Sequence, residues 1–139
     1  MEICRFCNNI ELKSRIMGET EHAFIILSNP CLVREHCLVI PKRHVKKLSE
    51  LSKEELIDLI NIIIKTQELL LTKFDGCDIR QNYRPFQKED YLKVNHLHIH
   101  LQPREFKDNL YQKCQIFEKD VFRELSREEL DEIKNYILK

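Results

Sequence analysis

The chain has 139 residues, with 23 basic and 23 acidic side chains and a formal net charge of zero. That length suits one domain with a core of its own, and the balanced charge leaves no global field that would favour nucleic acid or an anionic membrane surface. No apolar run is long enough to span a bilayer, and the opening MEICRFCNNI lacks the apolar segment of an export signal, so a soluble cytoplasmic protein is expected.

Six cysteines outside a secretory context argue for reduced thiols and a metal site over a disulfide framework. Cys4-Arg5-Phe6-Cys7 is a CxxC knuckle whose two thiolates can clamp one tetrahedral cation. The alternative is a pair of small packing residues near a terminus. LKSRIM (12–17) and HAFIILS (22–28), separated by Gly18 to Glu21, read as a hairpin. A third strand, HCLVIP (36–41), stops at Pro41, which has no N–H for a central ladder.

Ser52 and Glu55 form a capping box, and an apolar period then runs from Leu56 to about Phe74. Ile57, Ile62, Ile64 and Leu71 broaden the apolar arc beyond one stripe, which implies cover on more than one side, by the sheet or by a partner chain as well. Asp75-Gly76 turns the chain into a fourth strand, 77–82; RPFQKEDYLK is a polar loop, and 94–102 is a fifth strand. Ser126 and Glu129 begin a C-terminal helix from Arg127 to about Leu138. The order ββ, β, α, ββ, α predicts an α+β fold: a five-stranded, mainly antiparallel sheet with one long helix packed on it, and a further helix at the C-terminus. No linker or repeat divides it, so a single domain over 1–139 is expected, with its core in about 1–104 and an extension over about 105–139.

In VNHLHIHLQPR (94–104) three histidines alternate with Leu97, Ile99 and Leu101. Strand geometry puts His96, His98 and His100 on one face, roughly 7 Å apart, with the aliphatic residues turned into the core. Imidazoles in such a row can ligate a metal or act as nucleophile and proton donors near neutral pH, and the spacing alone leaves both open.

HCLVIPKRH (36–44) together with HLHIHLQPR (96–104) resembles the two motifs of the histidine triad (HIT) superfamily, with the likeness running from Cys4 to about Arg104. The resemblance implies a small antiparallel sheet with the long helix on it, commonly paired as a homodimer. It implies nucleotide chemistry in which the middle triad residue, His98, attacks the α-phosphorus and becomes nucleotidylated. His100 and His36 would contact the phosphoryl oxygens and help protonate the leaving group. By the same likeness Cys4, Cys7, His44 and His96 would hold a structural Zn2+, a closed Cys2His2 shell with no position for water. The remaining cysteines are expected to be packing residues.

The implied substrates are nucleotide phosphoesters, phosphoramidates or dinucleoside polyphosphates. A transferase or phosphorylase using the same intermediate, or a weak nucleotide-binding module, is the alternative. Asn82 matches a family asparagine on the leaving-group side, and Lys93 takes roughly the place of a serine in a glycine-rich stretch that here reads DYLKVN. Where the family has a ribose-binding Asp before the Asn-Pro turn, FIILSNP offers Leu27 or Ser28. Arg80 and Arg84 flank Asn82 and read first as surface arginines, with contact to additional phosphates as the alternative. A third triad residue that is His and not Gln favours hydrolase over transferase.

Overall fold

The computed structural model describes residues 4–8 and 10–137. The chain falls into two compact units, Met1–Asp108 and Asn109–Lys139.

The first unit begins with one helical turn, α1 (Ile10–Lys13), where a strand is expected from residue 12. The hairpin strands are β1 (Ile16–Glu19) and β2 (Ala23–Leu27). Gly18 lies within β1 at an irregularity of the pairing, and the turn falls on 20–22. The turn moves because Thr20 closes it: its N–H donates to the Ala23 carbonyl, and its hydroxyl to Asp58 on the long helix. Next come β3 (Cys37–Pro41), the helix α2 (Lys53–Leu71), β4 (Gly76–Arg80) and β5 (Ile99–Arg104). All pairings are antiparallel, in the order β1-β2-β3-β5-β4.

The α2 capping box forms as expected: Ser52 Oγ accepts from the Glu55 N–H, and Glu55 accepts from the Ser52 N–H. The helix ends at Leu71, three residues short of Phe74, where Thr72, Lys73 and Phe74 bond back to its last carbonyls. Period-two alternation divides the sheet into two faces. Val39, Leu97, Ile99 and Leu101 pack with Leu59, Ile62 and Ile63 of α2. Phe24, Ile26, Leu38 and Ile40 form a second cluster with Leu12 on the opposite face. His100 pairs with Leu38 and with Arg80, so it shares this second face, away from α2.

β5 starts five residues later than expected, at Ile99. The β3–β5 ladder ends at Val39↔Ile99. Beyond it Pro41 offers only a carbonyl, and the His96 ring takes that carbonyl at 2.7 Å while Leu97 N–H donates to Val45 at 2.7 Å. The in–out alternation of 97–101 nevertheless holds.

In the second unit, α3 (Asn109–Lys113) and a 3-10 stretch (Gln115–Asp120) precede α4 (Arg127–Lys134). Ser126 caps α4 through the Glu129 N–H, whereas the Glu129 carboxylate pairs with Arg123 and does not reach back. The helix ends at Lys134, with Asn135 as its cap; Leu138 lies outside the described residues. Among the described residues, no helix is long and apolar enough to cross a membrane.

Candidate functional site

The site is built where β3 and β5 begin on the face away from α2. His36 is buried, and the Leu32 N–H donates to its Nδ1 at 3.2 Å. That nitrogen is therefore an acceptor, and the ring proton sits on Nε2. His36 Nε2 lies 2.9 Å from His100 Nδ1 and donates to it, which leaves His100 with its own N–H at Nε2. His98 is set differently. Its Nδ1 is 2.7 Å from the His96 carbonyl, an oxygen that can only accept, so Nδ1 is protonated and Nε2 keeps the lone pair. The His98 and His100 ring centroids are 4.9 Å apart, closer than strand spacing alone predicts.

All three rings are held neutral. Burial, then the Arg80 guanidinium and His98, push His36 down to about 4. Burial, His98, His36 and Arg80 push His100 down to about 3, and burial lowers His98 as well. A neutral, oriented imidazole is the form that can act as a nucleophile at pH 7.

His96 faces elsewhere. Its Nε2 donates to the Pro41 carbonyl, so its Nδ1 lone pair points at the Cys4 and Cys7 sulfurs, each 3.4 Å away. His44 Nδ1 lies 3.5 Å from Cys7 Sγ. The four ligand atoms of Cys4, Cys7, His44 and His96 all lie within 4.8 Å of one another. Ligands about 2.0–2.3 Å from a tetrahedral ion sit roughly 3.5 Å apart, so the cluster fits a four-coordinate metal ion. The Pro41 carbonyl supplies the outer hydrogen bond that orients a ligating histidine. Crowding is the other sign: burial and the neighbouring Cys4 push the Cys7 thiol up to about 11, a repulsion that a bound cation relieves.

A cleft of about 700 Å³ runs over this face, with His36, His98 and His100 in its lining. Asn82 and Lys93 line it too, and the Lys93 ammonium donates to the Arg84 and Gln87 carbonyls. Two residues inside the CxxC knuckle also reach the cleft, which spacing alone did not reveal. Phe6 meets the His96 and His98 rings edge-on at 5.8 and 5.4 Å. The Arg5 guanidinium donates to the Asp90 and Lys93 carbonyls. An aromatic and a cation between two cysteines of a CxxC pair are the sequence signal that points to them. Arg43, next to His44, donates to Glu55 and to the Glu50 carbonyl, tying the metal cluster to the start of α2. Cys37 is buried, as expected of a packing residue, whereas Cys31 and Cys114 are exposed.

An antiparallel sheet that carries two histidine clusters on its β3 and β5 segments defines a class of fold that comparison with known proteins makes specific. The HIT domain matches residues 9–107, and the chain belongs to the HIT family. An uncharacterised HIT-like protein of Methanocaldococcus jannaschii is 33% identical over 105 residues, 73% of this chain and 79% of that protein. The adenosine 5'-monophosphoramidase HNT1 of Saccharomyces cerevisiae is 31% identical over 103 residues, 73% of this chain and 62% of the relative. A galactose-1-phosphate uridylyltransferase of Haemophilus influenzae is 35% identical over 101 residues, which cover 68% of this chain but only 28% of that enzyme. The crystal structure of a HIT family member from Bacillus subtilis superposes with a TM-score of 0.71 at 24% identity, over 98% of this chain and 95% of that one. Hydrolases and a transferase thus both occur among the relatives.

Proposed function

We propose that this protein hydrolyses nucleotide phosphoesters, phosphoramidates or dinucleoside polyphosphates through a covalent intermediate on His98. The observation that carries the reading is the hydrogen bond from His98 Nδ1 to the His96 carbonyl, which leaves the Nε2 lone pair free beside the paired His36 and His100.

His98 Nε2 attacks the α-phosphorus and a P–N bond forms. The bond to the leaving oxygen or nitrogen breaks with its electron pair, and the leaving atom takes a proton from water. The His100 Nε2–H donates to the phosphoryl oxygens, where charge develops, while His36 keeps His100 in the tautomer that can do so. Water then attacks phosphorus, the P–N bond returns its pair to Nε2, and the proton of the attacking water passes to solvent. Asn82, in the cleft lining, meets the leaving group in this reading, and Lys93 offers a phosphate the one ammonium proton not committed to carbonyls.

Cys4, Cys7, His44 and His96 hold a structural Zn2+ in this reading; a closed four-ligand shell leaves no place for substrate. The same reading places the protein in the cytoplasm, as a homodimer, with the chemistry in the first unit and the residues after it as an extension of the same domain. The uridylyltransferase relative keeps nucleotidyl transfer as a second reading, and adding phosphate or a sugar phosphate as acceptor separates the two.

The test is turnover of adenylylated substrates by wild type and His98→Ala, with mass spectrometry of the quenched enzyme. The expected result is loss of at least 10⁴-fold in kcat, about 5.4 kcal/mol, and a nucleotidyl adduct on wild type alone. Equal turnover by the two proteins would sink the assignment.

A further inference from the structure

One buried polar group has no part in either histidine cluster. Gln102 lies on β5, two residues beyond His100, and only 1% of its surface is exposed. Its Nε2 is buried and has no hydrogen-bond partner among the described residues. A buried donor left without an acceptor costs stability, and an apolar side chain of the same shape would not. Departures of this kind concentrate at functional sites.

The strand register shows which acceptor lies within its reach. Cys37 faces Leu101 and Leu38 faces His100, so one residue further along His36 stands opposite Gln102. Alternation puts both side chains on the face away from α2. Directly opposite Cβ atoms are roughly 5 Å apart, a span that a glutamine side chain covers. Asp78 faces Gln102 from β4, but its carboxylate is half exposed and accepts from Arg104 Nη1 at 2.7 Å. In the histidine pair, His36 Nε2 and His100 Nε2 carry protons, and His100 Nδ1 is filled by His36. That leaves His36 Nδ1, the ring nitrogen turned away from His100. Its donor in the free protein is the Leu32 N–H, 3.2 Å away, at the long end of hydrogen-bond distances. Leu32 itself is half exposed and lines the cleft, so whatever occupies the cleft bears on the segment that supplies this bond.

We infer that Gln102 is a positioning residue: when substrate fills the cleft and the Leu32 segment shifts, the Gln102 amide donates to His36 Nδ1 in place of the Leu32 N–H. The inference rests on the reading that His98 attacks a nucleotide. The exchange keeps the ring proton of His36 on Nε2. His36 then still donates to His100 Nδ1, and His100 still presents its own N–H to the phosphoryl oxygens. Without a donor at Nδ1, the ring proton of His36 is free to move there, and the bond between the two histidines loses the hydrogen that makes it. The amide is thus unmet in the free protein and used during turnover.

The experiment follows wild type, Gln102→Met and Gln102→Leu, with adenosine 5'-monophosphate as the occupant of the cleft. In isotope-labelled wild type, NMR should show the nucleotide moving the Gln102 side-chain amide protons downfield and slowing their exchange, while the Leu32 amide loses protection. That reading needs no variant. Both variants should melt at a higher temperature than wild type, since each removes an unmet donor. Their kcat for adenosine 5'-phosphoramidate should fall tenfold or more with KM within twofold of wild type, because the amide acts on His36 and not on substrate. Histidine nitrogen shifts should place the His36 proton on Nε2 in free Gln102→Met and divide it between the two nitrogens once nucleotide is added; in wild type it should stay on Nε2. Gln102 amide signals that ignore the nucleotide, a variant whose kcat or nucleotide-bound His36 tautomer matches wild type, or variants that melt lower each overturn the inference. A His98 adduct on wild type alongside any of these results confines the failure to Gln102. If wild type forms no adduct, the proposed function fails and the inference with it.

Discussion

At the scale of single residues, the work of each histidine is set by what its second ring nitrogen meets. His98 and His96 each give a proton to a carbonyl, so each presents a lone pair, one to the cleft and one to the thiols. The alternation of 96–100 is legible in the sequence, and the grouping of His96 with Cys4, Cys7 and His44 is what the family resemblance implies and the fold brings together. The tautomers are not, because they depend on the Pro41 carbonyl, distant in the chain, and on the Leu32 N–H that folds back onto His36. The same burial makes a pH prediction. His36 and His100 titrate near 6.5 when unfolded but at about 4 and about 3 in the fold. Between those values the unfolded chain binds more protons, so folding stability is full above pH 6.5 and drains away as the pH falls towards 4. Each such group contributes a slope of up to about 1.4 kcal/mol per pH unit. Urea midpoints at pH 7.5 and 5.0 should therefore draw together in His36→Gln relative to wild type; an identical pH dependence in the two proteins would show that this ring does not carry the effect.

At the scale of elements, the segment 82–95 is shaped by its neighbours more than by its own sequence. It reads as a polar loop, and it is one, but its course is drawn by two cations: Lys93, which gathers the Arg84 and Gln87 carbonyls, and Arg5, which holds the Asp90 and Lys93 carbonyls from within the CxxC knuckle. Sequence patterns register helix starts well, as the Ser52 and Ser126 caps demonstrate, because those bonds are local. The late start of β5 and the turn at Thr20 escape them because bonds distant in sequence decide both. Arg5 sits between Cys4 and Cys7, which the proposed function assigns to the metal, so loss of that metal should loosen the loop. Chelation of metal-loaded protein, and Arg5→Ala with metal retained, should each speed trypsin cleavage after Lys88 roughly tenfold, the population change expected from losing charge-assisted hydrogen bonds worth about 1.5 kcal/mol. Cleavage that chelation accelerates but Arg5→Ala does not would assign the effect to the knuckle itself and remove Arg5 from the account.

At the scale of the whole molecule, α2 has two apolar faces, and among the described residues only one is covered. Leu59, Ile62, Ile63 and Leu70 are buried against the sheet, whereas Leu56, Ile57, Ile60 and Ile64 leave 40%, 54%, 45% and 51% of their surface exposed. The breadth of that arc is legible from the sequence, and its division into a covered and an open half follows from a sheet that can reach only one side of a helix. Four large aliphatic residues along successive turns make a contiguous apolar strip, the kind of surface that marks an association site. An isologous contact between two copies would bury it twice over in one interface. Light scattering at micromolar concentration should then give about twice the 16.8 kDa of one chain. Ile60→Asp should return the mass to that of one chain, because an unpaired carboxylate placed in such an interface costs several kcal/mol and weakens dimerisation at least a hundredfold. Since Ile60 is exposed in the single chain, the variant should keep its secondary structure, which circular dichroism checks. A wild-type mass of one chain, or a dimer that tolerates Ile60→Asp, would move the contact off α2 and leave the open strip to some other partner.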